Sequence, residues 1–278
     1  MSLDTAIITF VGAGNMASSI IGGLLESGHR PAALRAADPS PENLARLRKL
    51  GDIELFEDNA TACEDATVVI LAVKPQVMAA AMASVRDQVC ASNALVISIA
   101  AGTTIASMQA GLGEQTAIVR CMPNTPALLG AGATALHASE QVDPAQRELA
   151  ETILAAVGIV EWVPAEADLD AITALSGSGP AYFFLFMEAM IEAGCRMGLS
   201  RNCATAMTRQ TALGAARMAM ESDVDLAELR RRVTSPGGTT ERAVQRFEAD
   251  GLSALVQAAM DAARERAAEM GAGGEAAN

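Results

Sequence analysis

Residues 6–25 read AIITFVGAGNMASSIIGGLL. A run rich in β-branched residues enters Gly12-Ala13-Gly14 and leaves as an apolar helical pattern. Gly12, Gly14 and Ala17 form G-x-G-x-x-A, a variant of the phosphate-binding turn between the first strand and first helix of a Rossmann sheet. Gly12 permits the tight turn out of the strand, and Gly14 lets a pyrophosphate approach the backbone. Ala17 lets the helix lie close to the sheet. The helix start offers free N–H groups and a partial positive charge to the phosphates. Glycines also occur in ordinary turns. The strand before, the helix after and the strand beyond favour dinucleotide binding.

Outward from this stretch, β-branched runs alternate with helical patterns up to residue 163. The runs lie at 6–12, 34–38, 53–56, 66–73, 94–100, 116–121, 133–138 and 159–163. Several, such as ATVVILAV, do not alternate with polar residues, which predicts strands buried on both faces of a parallel sheet with helical crossovers. Beyond 163 the strand runs stop. Helical patterns follow at about 179–197, 200–221, 225–233, 239–249 and 251–270, and the tail 271–278 is expected to fray. The fold class expected is α/β: a doubly wound Rossmann domain over 1–163, then an all-α dimerisation domain over 164–278. The helix opening PAYFFLFMEAM is apolar nearly all round. Burial on most sides is therefore predicted, against a second copy of the chain or against its own domain.

The chain has 278 residues and a formal charge of −13, which disfavours nucleic acid as a partner. Arg230, Arg231 and Arg232 stand alone without interleaved aromatics and read as a solvated helix face or a local anion contact. The five cysteines are scattered, with no C-x-x-C, so neither a disulfide framework nor a metal site is expected. His29 and His137 have no ligand or base partner nearby in sequence and read as loop or surface residues. No basic stretch precedes the first apolar run, and no apolar run reaches the ~20 residues that a membrane helix needs. A cytoplasmic protein is expected.

Candidate ligand contacts lie at the carboxyl ends of the strands. Asp38, 24 residues after Gly14, either accepts the adenosine ribose hydroxyls, favouring NADH, or starts the next helix. In the Pro39-Ser40 pair that follows, the Ser40 hydroxyl and N–H offer donors to a 2′-phosphate. Ala72, Val73, Lys74 and Pro75 end one strand, where Lys74 is either a site residue or a solvated loop lysine. Ala100 and Ala101, before Gly102, are small enough for a flat ring to approach. Asn124 in MPNTP lines the cleft or caps a turn. Late in the chain, TSPGGTTER (234–242) places two glycines before a helical pattern. That stretch is a helix–helix turn or an anion seat built from backbone N–H groups.

GAGNMA, AVKP, MPNTP, SGSGPAY and SPGGTT, in this order, resemble the pyrroline-5-carboxylate reductases over about residues 6–270. The resemblance implies hydride transfer from NADPH, or NADH, to a cyclic imine bearing a carboxylate, the final step of proline biosynthesis. It also implies a homodimer or a ring of dimers. The implied cofactor contacts are Gly12, Ala13, Gly14, Asn15, Met16, Ala17, Pro39, Ser40, Asn59, Ala72, Val73, Lys74, Pro75, Ala100 and Ala101, to which position alone adds Asp38. The implied substrate contacts are Ser235, Gly237, Gly238, Thr239 and Thr240, with Thr240 as the catalytic residue touching the ring nitrogen; Asn124, by its place after a strand, is a further candidate. The Gly237 and Gly238 N–H groups are expected to receive the carboxylate. Asp38 and Arg232 depart from the family pattern, Asp38 where relatives carry serine or arginine. Hydroxyacid dehydrogenases of similar layout use a lysine in the helical domain, and this chain has no lysine after Lys74. A non-catalytic dinucleotide sensor is the alternative of a different class.

Overall fold

The computed structural model describes residues 3–275. The chain packs as two compact units. The first comprises residues up to Ser178 together with those from Ala262 onward, and the second comprises Gly179–Asp261.

The first unit is built on an eight-stranded sheet. Its strands are β1 (Ile8–Val11), β2 (Leu34–Ala37), β3 (Glu54–Phe56), β4 (Val68–Leu71), β5 (Leu95–Ser98), β6 (Ile118–Met122), β7 (Gly132–Ala138) and β8 (Gly158–Trp162). They lie in the order β3-β2-β1-β4-β5-β6-β7-β8. Every residue of β1, β4 and β5 is buried, as short apolar strands covered on both faces must be. The helices α1 (Asn15–Glu26), α2 (Pro41–Leu47), α3 (Asn59–Ala62), α4 (Met78–Ser92), α5 (Ile105–Leu112), α6 (Pro144–Ala155) and α7 (Asp168–Ile172) connect or follow these strands. Side chains cap several of their starts: Ser40 on α2, Asp58 on α3 and Thr104 on α5. Asp143 and Gln146 form a reciprocal capping box on α6. On one face Phe10, Ile20, Ile21, Leu24, Ile70 and Ile97 build the core. On the other, Val69, Leu71, Val85, Val96, Met108 and Leu112 do so.

One strand departs from the expected parallel arrangement. β7 runs antiparallel to β6, and β8 is again parallel to β7. The connection from Met122 to Gly132 holds only a short 3₁₀ turn, Thr125–Leu129. A parallel crossover needs a dozen or more residues, so the chain must return alongside.

The first compact unit continues past β8 to Ser178. Arg120 on β6 is buried and pairs with Glu166 at 2.8 Å, with Asp170 at 4.0 Å. Glu166 Oε1 also accepts from the Ile105 amide at the start of α5 (2.8 Å). These bonds fasten the segment after β8 to the sheet. Of the two histidines expected in loops or at the surface, one lies in a strand. His29 lies in a loop but is buried, and His137 sits on β7 with Nδ1 3.1 Å from the Val163 carbonyl oxygen.

The second unit contains α8 (Gly179–Arg196), α9 (Arg201–Glu221), α10 (Leu226–Arg232), α11 (Thr239–Ala249) and the first part of α12 (Leu252–Glu275). α8 packs on α9 with Gly194 against Ala204, and Phe186 meets Phe247 of α11 with ring centroids 6.1 Å apart. In the single chain Phe183 is 72% exposed and Leu185 67% exposed, so of the two burials predicted for this helix the one against its own domain is not what the chain shows, and the face is left open to a second copy. The three arginines of α10 contact acids: Arg230 pairs with Glu248, while Arg231 and Arg232 share Glu228. Those two guanidinium groups hold the Glu228 carboxyl down at about 2. Helix α12 extends to Glu275, into the segment expected to fray. Ala276–Asn278 lie outside the described residues.

Two neighbouring glycines of α1 differ in surroundings. A Cβ on Gly23 would come within 2.4 Å of the Ala156 carbonyl oxygen, whereas one on Gly22 meets nothing within 4 Å. Gly22→Ala is expected to stabilise by about 1 kcal/mol through helix propensity. Gly23→Ala is expected to destabilise by roughly 1–3 kcal/mol because backbone must shift. Urea denaturation of both variants checks the opposite signs.

Candidate functional site

The first unit assembles the dinucleotide loop. Gly12 has φ +100° and lies so close to β4 that a Cβ would sit 2.7 Å from the Ala72 carbonyl oxygen. Gly14 is the N-cap of α1, carries no side-chain cap, and has open space where its Cβ would project. No acidic side chain lies in the first turn of α1. The loop therefore presents an open, uncapped helix start, as a bound pyrophosphate requires. Ala17 is fully buried beneath it, while Asn15 and Met16 border the opening.

Asp38 does not point outward. It is 8% exposed, and its Oδ2 accepts from the Ala13 amide at 2.8 Å. Its Oδ1 accepts from the Ser40 amide at 2.8 Å and from Asn43 Nδ2 at 3.1 Å. Both carboxylate oxygens thus brace the glycine loop against the start of α2. Ser40 caps α2 through its hydroxyl oxygen, and Pro39 is exposed beside it. Arg46 on α2 is a residue that the sequence reading missed. Its Nη1 donates to Asn15 Oδ1 at 3.0 Å. Its Nη2 donates to the Ala13 carbonyl at 3.3 Å and to Asn43 Oδ1 at 2.8 Å. An arginine one helical turn past a cap sits on an ordinary solvent face by pattern alone, so only the loop's folding back exposes the contact.

The other strand ends follow. The Ala72 amide donates to Val11, Val73 is half-buried, and exposed Lys74 precedes Pro75 at the start of a 3₁₀ turn. Ala100 is buried and Ala101 half-buried, leading into Gly102 at φ +73°. Asn59 opens α3 and donates to Ser84 Oγ at 3.0 Å. Asn124, a candidate substrate contact, is engaged within the chain. It is buried, its Oδ1 accepts from the Ala133 amide at 2.9 Å, and its Nδ2 donates to the Ser176 carbonyl at 3.0 Å. One donor and one acceptor of the amide thus brace β6, β7 and the segment before α8, and a second N–H and a second lone pair remain.

In the second unit, the stretch 234–240 joins α10 to α11. Gly237 has φ +72°, and Gly238 is the N-cap of α11. The two glycine amides expected to seat a carboxylate are engaged within the chain. The Gly237 amide donates to Glu241 Oε2 at 2.8 Å, and the Gly238 amide to the Ser235 carbonyl at 3.0 Å. The open donors lie one step later. The first amide to bond back from α11 is that of Arg242, to Gly238 at 3.3 Å, which leaves the Thr239 and Thr240 amides, with that of Glu241, without a preceding carbonyl. Both threonines are exposed, and the Thr240 hydroxyl makes no hydrogen bond within the described residues. The arrangement offers two N–H donors and a hydroxyl side by side, the complement of a carboxylate next to a nitrogen.

Among the described residues no cluster of metal-binding side chains occurs, and no helix is long and apolar enough to cross a membrane. All five cysteines are free, and burial pushes the Cys63 thiol up to about 12.

Comparison with known proteins gives a consistent result. A family model described as pyrroline-5-carboxylate reductase dimerisation matches residues 166–270, and one described as NADP oxidoreductase, coenzyme F420-dependent, matches residues 7–102. The pyrroline-5-carboxylate reductase of Pseudomonas aeruginosa is 53% identical over 96% of this chain and 98% of its own length. A solved pyrroline-5-carboxylate reductase from Coxiella burnetii superposes with a TM-score of 0.92 at 44% identity, covering 96% of this chain and 98% of that one. The pyrroline carboxylate reductase of Plasmodium falciparum, solved with NADP bound, gives 0.85 at 29% identity, covering 97% of this chain and 100% of that one. With more than half its residues shared across nearly its whole length, the chain belongs to the pyrroline-5-carboxylate reductase family.

Proposed function

We propose that this chain reduces 1-pyrroline-5-carboxylate to L-proline, with NADPH as its hydride donor and NADH as a possible substitute. The observation that carries this reading is the near-whole-length kinship with the Pseudomonas aeruginosa enzyme. The open glycine loop and the donor pair at Thr239 and Thr240 supply the chemistry.

The bound nicotinamide supplies a hydride to the imine carbon. The remaining work falls to the chain. The Gly12–Ala17 loop holds the pyrophosphate at the start of α1, with Asp38 fixing the loop from behind. Ala72–Pro75 with Asn59, and Ala100 with Ala101, form the remaining borders of the cofactor seat. The Thr239 and Thr240 amides receive the substrate carboxylate, and the turn Ser235–Gly238 holds them in place. Glu241 acts on this seat through the Gly237 amide, as a positioning residue. The Thr240 hydroxyl donates to or accepts from the ring nitrogen, orienting the imine and passing a proton. An imine that arrives protonated is already the better hydride acceptor, so no histidine is needed. Holding the two reactants in register accounts for most of the rate.

The second unit buries little apolar surface of its own. Phe183, Phe184, Leu185, Met207, Leu255 and other large side chains stay exposed in one chain. So many large apolar side chains left in solvent mark an association face. We infer a homodimer, or a ring of dimers, through this unit, working in the cytoplasm.

Two measurements check the reading. Purified protein given pyrroline-5-carboxylate should oxidise NADPH, followed by absorbance, with NADH run in parallel. Thr240→Ala should lower kcat by about 10²-fold while leaving NADPH binding, read by fluorescence, within about twofold. Full turnover in that variant would remove Thr240 from the mechanism. Separately, Phe184→Glu should shift the sedimentation profile from a dimer or larger species toward single chains. An unchanged profile would place the association face elsewhere.

A further inference from the structure

At the corner where β1 and β2 end, the chain carries a carboxylate that sequence alone reads as a ribose acceptor. The structure gives that carboxylate another occupation. Asp38 is buried, and its two oxygens already receive three N–H donors from Ala13, Ser40 and Asn43. Three of the roughly four acceptor sites of a carboxylate are thereby filled from within the chain.

What the corner presents outward is different. Arg46 reaches from α2 to the glycine loop and touches Ala13, Asn15 and Asn43. These contacts use three of the five N–H donors of a guanidinium, leaving Nε–H and one Nη1–H uncommitted in an exposed side chain. The Ser40 hydroxyl stands nearby. Its oxygen accepts from the Asn43 amide, and its proton remains free to donate. A fixed guanidinium with spare donors, one hydroxyl and a carboxylate turned away make a seat for a phosphate. They do not suit a neutral ribose hydroxyl. In Rossmann sheets an arginine at this corner accommodates a 2′-phosphate.

We propose that Arg46, together with the Ser40 hydroxyl, receives the 2′-phosphate of NADPH, and that Asp38 is an internal brace with no part in reading the ribose. This rests on the glycine loop holding a dinucleotide, as argued above. It goes beyond that reading by naming the side chain that selects the phosphorylated cofactor. The acid at position 38, which by sequence opposes NADPH, is thereby compatible with it.

The test uses the intact protein and half-cofactor probes, so it is independent of reductase turnover. Adenosine 2′,5′-bisphosphate and adenosine 5′-monophosphate are titrated calorimetrically. The unsubstituted chain should bind the bisphosphate at least about tenfold tighter. Arg46→Met should bring that preference to within about twofold, while monophosphate binding stays within about threefold. Arg46→Lys, which keeps the charge and loses the fork, should retain part of the preference. Asp38→Asn should weaken both probes alike. Equal loss of both probes in Arg46→Met would make Arg46 a loop brace only and overturn the proposal. So would no preference in the unsubstituted chain, or a selective gain for the bisphosphate in Asp38→Asn. A chain that prefers the bisphosphate yet leaves pyrroline-5-carboxylate unreduced would sustain this inference while refuting the proposed reaction.

Discussion

The contact between Gly12 and the carbonyl of Ala72 is the constraint on which the cofactor half depends. At φ +100° and with a Cβ excluded at 2.7 Å, only glycine lets the chain leave β1, turn, and start α1 beside the end of β4. From that turn follow the uncapped helix start at Gly14, the burial of Ala17 and the lodging of the Ala13 amide on Asp38. The loop is short and carries few side chains of its own. Its shape is held by backbone donors, one buried acid behind it and one exposed arginine in front. A charged group used in this way acts within the fold, which is why its identity by position alone misleads.

The end of the sheet shows a second kind of fastening. β7 turns back because the connection before it is too short to cross, and this leaves the segment after β8 needing anchors. Arg120 supplies them. A guanidinium inside a protein is costly to leave unpaired, and here Glu166 and Asp170 face it. Glu166 also holds the Ile105 amide, so one carboxylate ties β6, α5 and the chain leading to α7. Asn124 repeats the pattern with an amide, joining β6, β7 and the turn at Ser176. Polar side chains near strand ends in this unit are spent on structure more often than their motif positions suggest.

The second unit is organised by what it lacks. Ala204 and Thr208 are among the few side chains it buries, while phenylalanines and methionines of α8 and α9 face outward. Helices this apolar reach stability by burial, and a single chain of this length offers too little partner surface. Its turn at 234–240 is nevertheless well defined. Glu241 and Ser235 take the glycine amides, and the helix start is left open one residue later.

The sequence by itself determined the class of fold, the position of the glycine loop, eight strand runs and the helical character of residues beyond 163, because these depend on local periodicity and on residues with unique backbone freedom. The ordered motifs also identified the family. Tertiary structure alone decided the direction of β7, the inward turn of Asp38, the engagement of Arg46, the commitment of Asn124 and the occupied amides of Gly237 and Gly238. Each of these depends on which donor meets which acceptor across segments distant in sequence or folded back on themselves. A side chain that seeks a hydrogen-bond partner is satisfied equally by a ligand or by its own backbone, and only the packed chain shows which one lies within reach.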